Sequence, residues 1–537
     1  MTKTKPWFWG DIAYQIYIRS FYDSNGDGVG DLRGIIDKLD YLSNTLGVTA
    51  IWLCPFYDSP MVDFGYDVSD YESVDPLFGD LDDFKELLKQ AHTSGIKVIV
   101  DLIANHTSDK HQWFIESKSS KDNPKRNWYI WHSSEDGNPP NDWLSAFGGS
   151  AWEYDSHTNQ FYLHSFSKQQ PDLNWNNPEV KDAIKNVMKF WLDIGVDGFR
   201  ADAVYWLSKD GWFRDDPRNP HFHDKNSSGE YDALIHSHSR LGPHLYEHLQ
   251  DMTAVLEDYP GSFLVVEASP IAAIPGKNQD IPEYLNLYRY VDSKLCAPFN
   301  FELIRLPWDA RFYKSFIDNF QSKLHPDYLP IYTFGNHDNP RLASRIGEEA
   351  IRVAAMLLLT LPGLPFIYYG EEIGMKDVQI PRGEQKDPSR FGGNGRDAAR
   401  TPLQWNKSNN AGFSSQTPWL PVDKDYEKYN IETQLAKPDS LLNLYRALTM
   451  LRRQSDALRH GNYLSLEINH SSVYGFIRQT KAEKIAIILN FSSKKHSVES
   501  KGSKGKIIFS TYLDKENLLY KDLTELRPNE GIVINLS

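Results

Sequence analysis

The chain alternates short, almost wholly apolar runs with longer segments in which apolar residues recur every three to four positions. Runs of that length that are apolar on both faces are typical of buried strands, and the segments between them of amphipathic helices that cover such strands. The clearest helical segments are 81–92, 178–194 and 351–361. We predict strands within 12–21, 48–56, 97–103, 198–204, 263–267, 329–334 and 365–369, with a less regular candidate near 297–303.

Strands that alternate with helices in this way predict an α/β fold. Seven strands and one candidate fit a closed (β/α)₈ barrel better than an open sheet. The interval 107–169 breaks the alternation, since Trp, Asn, Gly and Pro are spread through it with no clear period. From about residue 462 strands follow one another without helices. We expect a barrel over 1–104 and 171–461, an inserted domain over 105–170 after the third strand, and a C-terminal antiparallel β-domain, a sandwich, over 462–537.

The charge balance excludes some classes of partner. Across 537 residues, 58 Lys and Arg stand against 72 Asp and Glu, a formal net charge of −14. Such a chain repels phosphate backbones and anionic lipid surfaces, so we expect neither a nucleic-acid nor a membrane partner. Two cysteines, Cys54 and Cys296, are too few for a disulfide framework in a chain of this size.

One stretch has enough apolar residues to be mistaken for a membrane span. The segment 353–369 is strongly apolar, but Pro362, Gly363 and Pro365 interrupt it, so we predict a helix, a turn and a strand. The first residues lack an apolar run of signal-peptide length, and we expect a cytoplasmic protein.

Polar side chains follow four of the predicted strands. In a (β/α)₈ barrel the reactive residues lie where strands end at the carboxyl face. The four segments are DLIANH at 101–106, GFRAD at 198–202, VVE ending at Glu267, and FGNHD at 334–338. A single acidic strand end is an ordinary loop cap or ion pair. Four such ends on one rim, carrying carboxylates, histidines and an arginine, indicate a catalytic site.

The same segments carry a family resemblance. DLIANH, GFRADAV (198–204), the strand end at Glu267 and FGNHD resemble, in order, the four signature regions of the α-amylase superfamily, glycoside hydrolase family 13. QPDLN at 170–174 is similar to a signature near the end of the inserted domain in the α-glucosidase and oligo-1,6-glucosidase branch. The resemblance covers essentially the whole chain. It implies a retaining enzyme that acts on α-glucosides.

Retaining glycosidases need one protonated carboxyl group and one ionised carboxylate. The resemblance assigns Asp202 as nucleophile and Glu267 as acid and then base. It assigns Asp338 as the third acid, which grips sugar hydroxyls without transferring protons. Arg200 lies two residues before Asp202 on the same strand face, where it favours the ionised form of that carboxyl.

The resemblance also implies how the pocket is built. In the α-glucosidase branch an Asp and an Arg form an ion pair that closes the pocket beyond the non-reducing glucose, and we assign them to Asp67 and Arg400. Ala203, next to the nucleophile, would shape the space for the second sugar; oligo-1,6-glucosidases usually carry valine there, so alanine favours α-1,4 links. The remaining residues expected to contact substrate are Tyr66 as a stacking platform, His106, His337, Phe147, Phe166 and Gln170.

A loop near the start of the chain carries oxygen ligands at alternate positions and glycines where the chain must turn. It resembles the opening of an EF-hand loop, although Gly34 stands where a bidentate Glu would complete it. In the glucosidase branch this segment is a structural Ca²⁺ loop; a metal-free turn is the alternative. No organic cofactor is expected. The predicted ligands are Asp23, Asn25, Asp27, the backbone carbonyl of Val29, and Asp31.

Three readings of the function stay open. The first is an exo-acting α-glucosidase that hydrolyses short oligosaccharides with a preference for α-1,4 links. An oligo-1,6-glucosidase is its close variant. The second is a transglucosylase or isomerase such as a trehalose synthase, which uses the same three acids but excludes water. The third, a carbohydrate-binding scaffold without activity, is disfavoured because all three carboxylates and both histidines remain. We expect a monomer or homodimer.

Overall fold

The fold is centred on a closed barrel of parallel strands. The computed structural model describes residues 6–133, 137–222, 230–268, 281–388, 395–499, 505–515, 518–520 and 523–536. Each barrel strand pairs with the next in chain order, and the last pairs with the first. The predicted eight-stranded barrel is confirmed, and the irregular candidate is its sixth strand. The strands are β1 Ala13–Ile16, β2 Ala50–Leu53, β3 Lys97–Leu102, β4 Gly198–Ala201, β5 Phe263–Val266, β6 Cys296–Asn300, β7 Ile331–Thr333 and β8 Leu364–Tyr368.

Helices cover the outside of the barrel and begin at local sequence signals. Helix Leu81–Thr93 starts at Asp80, whose carboxylate accepts from the N–H groups of Asp82 and Asp83. Helix Pro178–Ile194 has proline at its first position and ends at Gly195, which has a φ of 115°. The other long helices are Leu245–Leu256, Ile281–Tyr290, Ala310–Lys323, Ile351–Thr360 and Leu441–Gln454.

The segment 353–369, apolar enough to suggest a membrane span, folds as predicted into a helix, a turn and a strand. Helix Ile351–Thr360 is followed by β8, and both are buried in the barrel core. Among the residues that the structure describes, no helix combines the length and the apolar character that crossing a bilayer requires.

Between β3 and helix Pro178–Ile194 the chain forms a separate small layer on the carboxyl face of the barrel. They contain helix Gln112–Ser119 and a three-stranded antiparallel sheet, in which Gln160–Leu163 is the central strand between Trp131–His132 and Trp152–Asp155. An antiparallel bridge between His106 and Asp172 joins the two ends of the insertion. This closure places the inserted layer directly above the strand ends.

The C-terminal part is an antiparallel β-domain. Its six-stranded sheet runs in the order Asn462–Leu466, Val473–Gln479, Lys484–Asn490, Gly531–Asn535, Gly505–Ser510, Leu518–Tyr520. A separate pair joins His496–Glu499 to Leu523–Leu526. The sheet packs on the barrel through Phe491, whose ring lies 4.4 Å from that of Trp308.

Candidate active site

Arg200 of β4 lies at the centre of the carboxyl face and contacts three carboxyl groups. Its Nη1 lies 2.6 Å from Asp101 Oδ1 and 2.8 Å from Asp202 Oδ1, and its Nη2 lies 2.5 Å from Glu267 Oε2. The register explains the convergence, since Arg200 is the direct neighbour of Asp101 on β3 and of Val265 on β5. Asp101 has no exposed side-chain surface, whereas Asp202 and Glu267 keep 11% and 16% exposure. Those two remain accessible to a ligand.

Asp202 and Glu267 lie close enough for a hydrogen bond between their carboxyl groups. Burial raises the pKa of Asp202 well above its usual value, with the charge of Glu267 adding to the rise and Arg200 opposing it. Burial therefore favours the protonated form of Asp202, while the guanidinium of Arg200 favours its ionised form. Glycoside hydrolysis requires two neighbouring carboxyl groups, one protonated and one ionised.

Asp338 follows β7 and is held ionised by two arginines. Arg396 Nη1 and Arg400 Nη2 each lie 3.1 Å from its Oδ1. Burial lowers the pKa of His337 well below its usual value, so this neighbouring ring is neutral. Burial also opposes ionisation of Asp338, but the two guanidinium groups outweigh it and hold the pKa of Asp338 below its usual range. The side chain is 28% exposed and is therefore reachable by a bound sugar.

The predicted ion pair between Asp67 and Arg400 is wrong. Asp67 turns into its own loop, where it accepts from the N–H groups of Val62 and Asp63 at 2.9 Å and 2.8 Å. Arg400 instead donates to the backbone carbonyl of His337 at 2.7 Å and pairs with Asp338. Each carboxylate oxygen of Asp67 accepts a hydrogen bond from a backbone N–H group, and these bonds stabilise its charge in place of a cation.

The ion pair between the loops after β2 and β8 is formed by Asp63 and Arg396, which sequence reasoning missed. Arg396 Nη2 lies 2.6 Å from Asp63 Oδ1 and 2.7 Å from Asp387 Oδ1. Gln170 of the inserted segment donates to Asp63 Oδ2 at 3.1 Å and lies 3.1 Å from His106 Nε2. One hydrogen-bonded chain thus joins the two loops to the insertion. The available signal was the first acid in VDFGYD and the first arginine in GRDAAR.

The predicted aromatic residues line the same region. Phe166 packs at 5.2 Å from both His106 and Trp206, and its ring meets that of Phe147 edge-on at 5.6 Å. Arg396 lies 5.1 Å above the Phe147 ring. The predicted role of Tyr66 as a sugar platform stays a prediction.

Further residues hold the histidine and the insertion in place. The Tyr66 hydroxyl lies 2.7 Å from His337 Nε2, and Gln15 lies 2.8 Å from His337 Nδ1, so both ring nitrogens are occupied by protein partners. Buried Lys209 joins the inserted segment to the barrel through Asp172, 2.6 Å away. Gln15 and Lys209 were not found from the sequence, because neither stands at a strand end among other polar residues.

Ala203 has a left-handed backbone conformation, with φ 49° and ψ 39°. Its N–H lies 3.2 Å from Glu267 Oε2, and its side chain is buried beside the nucleophile as the sequence suggested. For an L-residue this conformation costs about 1–2 kcal/mol, and a β-branched side chain there is a genuine outlier.

The carboxylates of the acidic loop accept hydrogen bonds from donors of the loop itself. Asp23 accepts from the N–H groups of Gly26 and Gly28, and Asp31 accepts from Ser24 and from the N–H of Gly34, where it begins a short helix. Within the described ranges, no three Asp, Glu, His or Cys side chains are placed to hold a metal together. The predicted Ca²⁺ site, which also counts Asn25 and the carbonyl of Val29 among its ligands, stays a prediction.

A closed parallel barrel with three reachable carboxylates at its carboxyl ends defines the class of barrel glycosidases. The alpha-amylase catalytic-domain family matches residues 15–461. The chain is 40% identical to an oligo-1,6-glucosidase of Parageobacillus thermoglucosidasius, with 91% of each chain covered, and 37% identical to an alpha-glucosidase of Apis mellifera, with 98% and 92% covered. The crystal structure of an alpha-glucosyl transfer enzyme matches with a TM-score of 0.90 at 35% identity, covering 99% of this chain and 100% of that one. The chain belongs to the alpha-amylase family of glycoside hydrolases.

Proposed function

We propose that the protein is a retaining, exo-acting α-glucosidase that cuts α-1,4 links at the non-reducing end of short oligosaccharides. The observation that carries this proposal is the proximity of Asp202 and Glu267, which contact the two terminal nitrogens of the Arg200 guanidinium at 2.8 Å and 2.5 Å. Inverting enzymes keep their carboxyl groups about 6.5–9.5 Å apart to admit a water, whereas retaining enzymes hold them closer. Two carboxyl groups in hydrogen-bonding contact leave no room for that water.

In this mechanism Asp202 attacks the anomeric carbon while Glu267 gives its proton to the departing glycosidic oxygen. A glucosyl ester forms on Asp202, and Glu267 then takes a proton from the water that hydrolyses it. Arg200 contacts both groups, so the negative charge that leaves Asp202 and appears on Glu267 stays beside one fixed cation. Asp338, held ionised by its two arginines, binds sugar hydroxyls.

Exo action is supported by the pair between Asp63 and Arg396. The two residues come from loops after β2 and β8, and Arg396 also reaches Asp338, so the pair stands directly beside the third acid. A pocket closed there admits one terminal glucose and blocks a chain that continues past it. Asp63, Arg396 and Gln170 replace the Asp67 and Arg400 pair in this role.

Two observations favour alternatives to an α-1,4-specific hydrolase. The small side chain of Ala203 supports α-1,4 specificity, whereas the relative that is 40% identical is named an oligo-1,6-glucosidase. Transglucosylation is the other candidate, since the matched crystal structure is that of a transfer enzyme. Both alternatives use the same carboxylates, so the difference lies in the acceptor and the space around it.

Product analysis decides among these candidates. Maltose, isomaltose, sucrose and trehalose are each digested, and the products are followed by NMR from the first minutes. We expect glucose released first as the α-anomer, and faster from maltose than from isomaltose. First release of the β-anomer would contradict retention. Accumulation of new disaccharides in place of glucose would favour the transferase, and faster cleavage of isomaltose the oligo-1,6-glucosidase.

A further inference from the structure

The turn that presents Asp63 is built from residues in left-handed backbone conformations. Met61, Phe64 and Gly65 have φ values of 60°, 53° and 105°. Only glycine adopts this region freely, so Met61 and Phe64 need contacts from outside the turn to keep them there. Asp63 stands between these two strained residues, and its position depends on whatever holds them.

Arg19, in the loop after β1, contacts both strained residues. Its guanidinium carbon lies 5.2 Å from the centre of the Phe64 ring, and its Nη1 lies 3.4 Å from Met61 Sδ. Arg19 takes part in no ion pair within 4.0 Å among the residues that the structure describes. A largely buried arginine without a carboxylate partner is unusual, because burying its charge is costly unless other contacts compensate.

Trp419 is a second aromatic residue against the guanidinium of Arg19. Its ring lies 5.0 Å from the guanidinium carbon and 5.4 Å from the ring of Phe64. Trp419 is itself fixed, since its indole N–H donates to Ser20 Oγ at 3.0 Å and its backbone N–H to the carbonyl of Gly28 at 2.9 Å. The guanidinium therefore rests against Phe64 of the strained turn and against Trp419, which is anchored to the barrel, and the ring of Phe78 lies slightly farther away at 5.9 Å.

We propose that Arg19 is a positioning residue for substrate binding: resting against Phe64 and Trp419, it holds the strained turn that places Asp63 against Arg396. It acts through Asp63 and does not touch the sugar. A planar guanidinium can lie against aromatic faces in a way that an ammonium group cannot. This inference rests on the proposed function, because it requires Asp63 to close the pocket around a terminal glucose.

The experiment is a double-mutant cycle on kcat/KM for the substrate that the wild type cleaves fastest. R19A should lower kcat/KM by up to about 100-fold, the effect of moving a binding group by about 1 Å. In a D63N background R19A should have little further effect, because Asp63 no longer contributes. Losses that multiply, so that the double variant is worse than D63N by the full R19A factor, would overturn the proposal.

Two further variants separate positioning from a general loss of stability. M61N places a residue that tolerates the left-handed conformation at the strained position, and it should recover part of the activity of R19A. If R19A does not fold, R19K takes its place in the cycle with the same expectations; full wild-type kcat/KM in R19K would also overturn the proposal.

The control is R352A, which removes an arginine that donates to the backbone carbonyls of Thr511 and Asp439 and contacts no residue of the pocket loops. It should lower the melting temperature and leave kcat/KM unchanged. Wild-type enzyme that releases no glucose from any α-glucoside would refute the proposed function, whereas a failed cycle in an active enzyme refutes only the role of Arg19.

Discussion

Asp63 and Asp67 stand four residues apart on one loop and have opposite surroundings. Asp63 faces Arg396 across the pocket, while Asp67 faces the backbone N–H groups of its own turn. Burial raises the pKa of both carboxyl groups, that of Asp67 to about 6; the guanidinium groups of Arg396 and Arg400 oppose the rise at Asp63, whereas backbone N–H groups oppose it at Asp67. Neutralising Asp67 therefore breaks no ion pair. Neutralising Asp63 removes one of the carboxylates that pair with Arg396.

The matched pair D63N and D67N tests this difference. D63N should lower kcat/KM on maltose far more than D67N, because it leaves a buried arginine without one of its carboxylates. Steady-state kinetics of both variants at the same pH provide the measurement, with melting temperatures as the control for folding. A greater loss of kcat/KM in D67N would instead support Asp67 as the acid that closes the pocket, as the resemblance implied.

Sequence alone could not decide between these residues. The segment VDFGYD holds two acids, and GRDAAR holds two arginines, so an acid and an arginine can be paired in four ways. The left-handed turn at Phe64 and Gly65 decides which acid faces the pocket, and spacing along the chain does not report such a turn. The three catalytic candidates were easier, because each follows a barrel strand whose apolar run is visible in the sequence.

We expect the side chain at position 203 to influence which glycosidic link is cut. Valine there would crowd an α-1,4-linked second glucose and shift the ratio of kcat/KM values toward isomaltose by roughly 10–200-fold, the range expected for one methylene-sized change. The backbone has φ 49°, so valine also introduces strain. Rates on maltose and isomaltose are compared for wild type, A203V and the strain-free control A203G. An unchanged ratio in A203V would show that other loops set the link.

At the scale of elements, burial on both faces made the barrel strands predictable. Helix Pro178–Ile194 was predicted to the residue, because Asn177, Pro178 and Gly195 mark its ends. The sixth strand was uncertain because Pro298 and Asn300 interrupt its apolar run. The loop conformations could not be predicted, because they depend on hydrogen bonds that leave no periodic pattern in the sequence.

The acidic loop at 23–31 is the element predicted to bind Ca²⁺. Burial raises the pKa of Asp31, and the nearby charge of Asp23 adds to the rise, so a bound cation would relieve both acids. Binding requires the exposed side chains of Asn25 and Asp27 to leave the turns that they now form. We expect chelation to lower the melting temperature, added Ca²⁺ to restore it, and D27N to abolish the response. No bound metal by elemental analysis, together with an unchanged melting temperature, would leave the loop as a metal-free turn.

At the scale of the whole molecule, the burial of two adjacent acids makes stability depend on pH. Glu371 and Glu372 follow β8 and are buried without an ion pair within 4.0 Å among the residues that the structure describes. The Tyr445 hydroxyl donates to Glu371, and those of Tyr14 and Tyr41 donate to Glu372, each at 2.8 Å. Helix Leu441–Gln454, β1 and the segment near residue 41 therefore meet at these two carboxyl groups. Ionisation of Glu371 therefore acts on the contact with the helix, and ionisation of Glu372 on the contacts with β1 and the segment near residue 41.

Glu371 sets the direction of that pH dependence. Burial, reinforced by the charge of Glu372, raises the pKa of Glu371 to about 8, against about 4.3 for Glu in an unfolded chain. Between these values the folded state binds the proton and the unfolded state does not. The contribution of this group to the free energy of unfolding is therefore fully present below about pH 4.3 and is lost as the pH rises through about 8, at no more than about 1.4 kcal/mol per pH unit.

E371Q keeps an acceptor for Tyr445 but cannot ionise, so its free energy of unfolding should fall less than that of wild type between pH 5 and 8. Urea denaturation of both proteins across that range measures the difference, with D439N as a surface control, and parallel curves would show that Glu371 does not titrate in this window.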